Sequence, residues 1–383
     1  MANRLKEHLN LLEDEVARHA SSPAFIERLN VIRSALGEEN FHPIRSLAAP
    51  YYGTDLGVRY FTDPSKFYKA HCEIFSISPI DDRELVDWAL AANLKDLSRI
   101  FDSTILFFGD YSSMKLAIES RWTQIINSHD YSLLIQAGVI LAATGDAGCI
   151  ELFDQAAQVA ETDSGAYAAH HRAAAYFTKR QHDISSAESR LKLALSFATG
   201  EEKYVNIALM KNLDALIQVK AGREAINYLR EAEANLNRYL SKPHLTGEQI
   251  SRAARYRSQV AINMAQLLLA IGETQEALAV MLDNIHSARD TTFDYLDEAL
   301  GEASYTAYLA KNYTLAVSLG AEAFWRTYSK GSVEAMRSIR EIVSAASLKE
   351  GKNEYAEYVA NTIDNDPLGL QGLSNTLGNT GLR

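Results

Sequence analysis

The sequence predicts an all-α fold built from antiparallel helical hairpins that recur along most of the chain. Helical periodicity without the alternation of β-strands runs from about residue 80 onward. Small residues return at a regular interval within this part, which is the mark of a repeat architecture. Five of the seven prolines lie within the first 79 residues, so the rest of the chain is left free to form long helices.

Four regions are predicted along the chain. Residues 1–80, rich in proline and aromatic side chains, are expected to form an irregular helical region, because proline ends helices. Residues 81–130 are expected to form a helical cap or degenerate hairpins that cover the first repeat. The repeat array, of about six hairpins, is placed at 131–365. Residues 366–383 are interpreted either as a flexible tail or as an arm whose leucines dock on a neighbour.

Two small positions carry the repeat signal. The first recurs at spacings of 37, 38, 52, 39 and 40, and its members are Ile150, Ala187, Ala225, Ala277, Ala316 and Ala356. The second follows seven residues later in each repeat, at Ala157, Ala194, Ala232, Asn284, Ala323 and Ile363. Two helices joined by a tight turn approach closely only where a side chain is small. The pattern therefore predicts the contact line inside each hairpin.

The clearest repeat runs from Ala261 to Met281, with a helix that stops at Gly272 and a second helix that begins at once. With glycine at the turn and Ala277 five positions later, these residues resemble a tetratricopeptide repeat. The resemblance covers roughly 60% of the chain and implies an α-solenoid, although the spacing exceeds the 34 residues of the family repeat. Thr246 and Gln249 predict a capping box within the 52-residue interval, where an extended loop or a lengthened helix pair is expected.

Composition excludes several classes of function. The net charge of −11, with seven Lys/Arg against nine Asp/Glu in residues 1–64, argues against nucleic acid or an anionic membrane as the main target. Cys72 and Cys149 are too few for a disulfide framework or a cysteine-rich metal site. No signal peptide and no window of 18 uninterrupted apolar residues is present, so a cytoplasmic location is expected.

No motif for catalysis is found. The sequence contains neither a Walker-type phosphate loop, nor a Gly-x-Gly-x-x-Gly fingerprint, nor a Gly-x-Ser-x-Gly elbow. His170 and His171 are adjacent on a predicted helix and point about 100° apart, so they do not readily ligate one ion. His182 falls at a predicted turn, and Asp183 is expected to cap the helix that follows. The chain is therefore predicted to be no enzyme and to hold neither cofactor nor metal.

The resemblance also implies where a partner binds, because the first helix of each tetratricopeptide hairpin lines the concave face. The residues carried over to this face are Arg172, Tyr176, Lys179, Asp214, Gln259, Asn263, Gln266, Glu298, Tyr305, Tyr308 and Glu341. This lining is polar and aromatic, with acidic groups toward its C-terminal half. Such a surface suits a peptide with some basic side chains and a backbone that can form hydrogen bonds.

Three functions remain open at this point. The first is a scaffold, adaptor or regulator that binds a protein or peptide without catalysis. The second is a peptide-responsive regulatory receptor that pairs the repeats with an N-terminal effector region. The third is a structural subunit that self-assembles into a homo-oligomer by exchange of the C-terminal tail.

Overall fold

The structure is a computed structural model in which residues 82–105, 111–291, 296–330 and 333–352 are described. Every regular element in these ranges is helical. They form two compact units, residues 82–239 and 240–352. Among the described helices, none combines the length and the apolar character needed to span a bilayer. The predicted N-terminal region, residues 1–80, and the predicted tail, residues 366–383, lie outside the described residues, as do Ala356 and Ile363.

The first unit contains ten helices in its described part. They are α1 Asp82–Ala91, α2 Leu94–Ser103, α3 Tyr111–Ser120, α4 Trp122–Ile126, α5 Tyr131–Ala143, α6 Cys149–Val159, α7 Asp163–Tyr176, α8 Ile184–Ser196, α9 Lys203–Lys220 and α10 Ile226–Leu240. From α5 onward they pair as the hairpins α5–α6 and α7–α8. In the third hairpin, α9–α10, Lys211 of α9 forms an ion pair with Glu231 of α10 at 2.6 Å. The helices α5, α7 and α9 contact one another in that order. We call the first helix of each hairpin the A helix and the second the B helix.

The second unit contains five described helices with the same alternation. They are α11 Gly247–Ala270, α12 Thr274–Thr291, α13 Leu296–Leu309, α14 Tyr313–Lys330 and α15 Val333–Lys349. The A helix α13 contacts both α11 and α15, its neighbouring A helices. Helix α11 begins with the predicted capping box of Thr246 and Gln249, and its 24 residues, against 18 in α9, account for part of the long repeat interval as a lengthened helix.

Each described A helix ends at one residue in the left-handed conformation. The six residues are Gly145, His182, Gly222, Gly272, Lys311 and Gly351, with φ between 54° and 88°. At Gly272 the amide of the next residue, Glu273, donates to the Leu268 carbonyl at 2.8 Å, and the glycine amide itself donates to Leu269 at 3.1 Å. These two bonds are a Schellman motif, which closes the helix and reverses the chain. The predicted turn at Gly272 is confirmed.

The turn at His182 differs because α7 runs into a π-helical turn, Phe177–Gln181, before it ends. A π turn adds one residue to the helix. His182 then takes φ 54°, and the Asp183 side chain accepts a hydrogen bond from the Ser186 amide at 3.0 Å. The prediction that His182 forms a turn and Asp183 caps the next helix is confirmed.

Most of the predicted small positions are buried at the contact line of a hairpin. Those with described side chains are Ala187, Ala194, Ala225, Ala232, Ala277, Asn284, Ala316 and Ala323, all buried. In the first hairpin Ile150 and Ala157 are only half-buried, and the fully buried residues are Cys149 and Ala156. The prediction is therefore wrong by one residue there. A shift of one position along a helix rotates the side chain by about 100° around the helix axis, which is enough to move it out of the contact between the two helices.

The A helices have a small position of their own. Gly138, Ala215, Ala265, Ser304 and Ser344 each stand seven residues before the left-handed turn residue. A Cβ added at Gly138 would lie 2.5 Å from the Phe153 ring of the B helix. The Ser304 hydroxyl donates to the Ala316 carbonyl of α14 at 2.7 Å. The two helices of a hairpin therefore meet at a small residue from each side.

Hydrogen bonds one repeat apart join neighbouring hairpins in the first unit. The Tyr131 hydroxyl donates to the Gly165 carbonyl at 3.0 Å, and the Tyr167 hydroxyl donates to the Asn206 carbonyl at 2.6 Å. In both cases an A-helix tyrosine reaches the next A helix. Within each unit the predicted fold class is confirmed as an all-α, tetratricopeptide-like array of antiparallel hairpins.

Candidate binding surface

The predicted residues of the first unit lie in different environments. Arg172 and Lys179 are exposed on α7 and its π-helical extension. Tyr176 is only 3% exposed, and its hydroxyl donates to the Gly145 carbonyl at 3.0 Å. Asp214 of α9 is half-buried and accepts a hydrogen bond from the Gln218 amide at 2.9 Å. The side chain of Tyr176 thus contacts the preceding hairpin rather than solvent.

On α11 of the second unit, Gln259, Asn263 and Gln266 lie on one side of the helix. Their spacing of four and three residues keeps them on a single helical face. All three are half-buried, and the Gln259 amide nitrogen donates to the Asn263 amide oxygen at 2.9 Å. The face therefore presents ordered amides at the boundary between the helix packing and solvent.

The predicted residues on α13 differ in how far they are buried. Tyr305 is 44% exposed, whereas all nine helix residues before it and the two directly after it are buried. It is the sole Phe, Trp or Tyr with an exposed side chain among those described. Tyr308 is half-buried and lies 5.6 Å, between ring centroids, from Tyr313 of α14. Glu298, near the start of the helix, is 9% exposed, and Glu341 on α15 is exposed.

Five of the predicted residues fall on adjoining helices in matching register. Gln266 stands six residues before the turn residue Gly272, and Tyr305 stands six before Lys311. Because α11 and α13 contact each other, equivalent positions on the two helices are neighbours across the unit. We call Gln259, Asn263, Gln266, Tyr305 and Tyr308 the amide–tyrosine surface.

A buried ionic cluster lies at the N-terminal part of α13. The Arg255 guanidinium of α11 is 2.9 Å from the Glu298 carboxylate, and their side chains are 5% and 9% exposed. Asp297 and Glu302, also buried, stand on the same helix. Burial raises the pKa of Glu298 to about 7; Arg255 opposes the shift, and Asp297 and Glu302 add to it.

Sequence reasoning missed Arg255. Its position four residues before Gln259 puts it on the same face of α11, so the helical register could have indicated it. The sequence alone does not show which carboxylate a single arginine contacts, and here that carboxylate lies 43 residues later.

The histidines do not form a metal site in the described part of the chain. His170 is buried and stacks on Phe197, while His171 stacks on Tyr167. Burial and the nearby Arg190 lower the pKa of His170, and Asp154 partly opposes this. No group of three or more His, Cys, Asp or Glu in the described ranges could hold a metal ion.

The sequence matches no protein-family model and no curated protein. Among solved structures it is similar to a Signal Transduction ATPase with Numerous Domains (STAND) protein with a tetratricopeptide repeat sensor, from Pyrococcus horikoshii. The identity is 12% and the TM-score 0.45, and the alignment covers 89% of this chain. The chain spans 65% of that protein's length. A likeness at this level carries no inference about function.

Proposed function

We propose that this chain is a non-catalytic helical-repeat scaffold, adaptor or regulator that binds a protein or peptide partner. The partner contacts the amide–tyrosine surface of the second unit. The observation that carries the proposal is the exposed ring of Tyr305 on α13, a helix whose other residues are mostly buried. An exposed aromatic side chain on a packed helix is a frequent anchor of interfaces, because it offers a large contact area at little cost in side-chain entropy.

The surroundings of Tyr305 suit an extended peptide. Asn263 and Gln266 supply amide groups that can donate to and accept from a peptide backbone. The Gln259 amide, whose oxygen is buried, orients Asn263 through its hydrogen bond. Glu341, exposed on the neighbouring A helix α15, adds a negative charge that favours a basic side chain in the partner. Arg172 and Lys179 are exposed on the first unit and make a separate, basic surface there.

The proposal is tested by placing a photoreactive aromatic amino acid at position 305 and comparing it with position 282. Leu282 on the B helix α12 is a matched control, since its exposure of 40% is close to the 44% of Tyr305. After irradiation in the native host, cross-linked partners are expected at position 305 and not at position 282. The same partner at both positions would show that the surface is not selective.

The energetic test uses Tyr305→Ala together with Leu282→Ala. For a partner identified by the cross-link, Tyr305→Ala is expected to weaken binding by about tenfold or more, as for an interface hot spot. Leu282→Ala should leave the affinity unchanged. Circular dichroism of both variants checks that the fold is kept. Equal affinity of wild type and Tyr305→Ala would refute the proposed surface.

A further inference from the structure

A charged cluster is buried where two hairpins of the second unit meet. Arg255 comes from α11, and Asp297, Glu298 and Glu302 come from the first two turns of α13. The Arg255 Nη2 atom lies 2.9 Å from one oxygen of the Glu298 carboxylate and 3.2 Å from the other. All four residues are less than 10% exposed. The side-chain contact between these A helices is thus partly ionic and shielded from water.

Burial makes a negative charge on Glu298 energetically unfavourable. A carboxylate removed from water loses its hydration, and the interaction with one arginine compensates for this loss only in part. Asp297 and Glu302 stand beside the pair and repel a negative charge on Glu298. A proton on Glu298 relieves both effects, because Arg255 can then direct its charge toward the two remaining carboxylates.

The charged groups with described side chains on the other helices that pack on α13 lie nearer to solvent. On α12, Asp283 pairs with Arg257 at 2.7 Å, and its side chain is 64% exposed. Arg289, also on α12, pairs with Glu322 of α14 at 2.6 Å. Among the residues with described side chains, the remaining titratable groups on these helices and on α15 are Glu276, His286, Tyr313, Arg340, Glu341 and Lys349. Glu276, His286, Glu341 and Lys349 are exposed, and Tyr313 and Arg340 are half-buried.

We propose that Arg255, Asp297, Glu298 and Glu302 form a proton-responsive joint between the hairpins α11–α12 and α13–α14. When Glu298 takes up a proton, its ionic bond to Arg255 is exchanged for a hydrogen bond between the charged guanidinium and a neutral carboxyl group, and the joint is more stable. When the proton leaves, the net negative charge confined at the contact increases and the N-terminal part of α13 loosens. The charge of Glu298 switches near neutrality, since its pKa is raised to about 7.

The joint lies directly beside the amide–tyrosine surface. Arg255 is one helical turn from Gln259, and Glu298 is two turns from Tyr305. A shift of α13 against α11 would therefore change the spacing of the two faces that form this surface. Regulation of partner binding by pH is the expected consequence, and it rests on the proposed function of this surface.

The test measures hydrogen exchange of the α13 backbone amides in the full chain from about pH 5 to about pH 9, corrected for the intrinsic exchange rate. In wild type the protection of α13 is expected to fall as the pH rises through neutrality. In Glu298→Gln, which mimics the protonated side chain, protection should stay high across the range. Glu341→Gln and His286→Gln remove an exposed group from the same unit and should behave as wild type.

A Glu298→Gln variant that keeps the wild-type pH dependence would overturn the proposal. If the variant does not fold, the carboxyl carbons of ¹³C-labelled glutamate in wild type are followed by NMR. A buried glutamate that titrates near neutrality supports the joint, and titration of every glutamate below about pH 5.5 rejects it. If the joint responds to pH and partner binding does not, the link to the surface fails while the joint stands.

Discussion

The close approach of α5 and α6 predicts an unusual result for Gly138→Ala. A Cβ at this position would lie 2.5, 2.8 and 3.1 Å from three atoms of the Phe153 ring. Carbon atoms in contact normally stay about 3.5–4.0 Å apart, so the ring or the helix must move by about 1 Å. Phe153 is 1% exposed and cannot swing into solvent. Overpacking of this kind costs about 1–3 kcal/mol.

A second effect of the same substitution has the opposite sign. Glycine is a poor helix former, and alanine in its place stabilises a helix interior by about 1 kcal/mol. In wild type the overpacking is expected to win, so that Gly138→Ala is neutral or destabilises by up to about 2 kcal/mol. In a Phe153→Leu background the ring is gone, and the alanine should stabilise.

The assay is urea unfolding of wild type, both single variants and the double variant, followed by far-UV circular dichroism. Free energies from linear extrapolation give the interaction energy of the pair. We expect a coupling of about 1–3 kcal/mol, with the alanine stabilising the protein only in the Phe153→Leu background. Additive effects within about 0.5 kcal/mol would refute the close approach of the two helices at this small position.

Two further predictions concern the turns and the buried thiol. Lys311 (φ 60°) and Gly272 (φ 88°) are both left-handed, a conformation that glycine adopts with the least strain. In urea unfolding, Lys311→Gly should therefore stabilise the second unit by about 0.5–1 kcal/mol, and Gly272→Ala should destabilise it by about 1 kcal/mol. Effects of the same sign for both substitutions would contradict this explanation. Burial, with Asp146 adding to the effect, raises the pKa of Cys149 to about 12, so in a Cys72→Ser chain an alkylating reagent at neutral pH should modify Cys149 only after unfolding. Equal rates in native and denatured protein would contradict it.

The turns and caps could be predicted from the sequence because they depend on local chemistry. Gly272 ends a helix since it adopts the left-handed conformation without strain, and Thr246 with Gln249 caps α11 through bonds within four residues. The small B-helix residues are visible in the sequence because each occupies the same contact in successive repeats. None of these features needs knowledge of a distant partner.

The depth of the A-helix residues could not be predicted, because it depends on register and on tertiary contacts. Tyr176 and Tyr305 both stand six residues before their turn residue, yet one is buried and the other exposed. The π-helical turn after Tyr176 adds one residue, which rotates this side chain toward the Gly145 carbonyl of the previous hairpin. An alignment on the turn alone does not reveal such an insertion.

The burial of Glu298 likewise depends on a distant partner. Its position near the start of a helix indicates a favourable interaction with the helix dipole, which is a surface role. Only the contact of α13 with α11 brings it to Arg255 and turns it into an interior ion pair. Polar residues in a repeat can thus be counted from sequence, while their assignment to a binding face or to the interior requires the packing.

The two units are expected to respond to pH in opposite directions around neutrality. In the second unit the folded pKa of Glu298 is raised, so the folded state holds the proton more tightly than the unfolded chain. Stability is then highest below the unfolded value of 4.5 and is lost as the pH rises through about 7, by at most about 3 kcal/mol. In the first unit the pKa of His170 is lowered, so its contribution is complete above 6.5 and is lost as the pH falls through the folded value. Mild acidification should therefore stabilise the joint beside the amide–tyrosine surface while it destabilises the hairpin that contains His170.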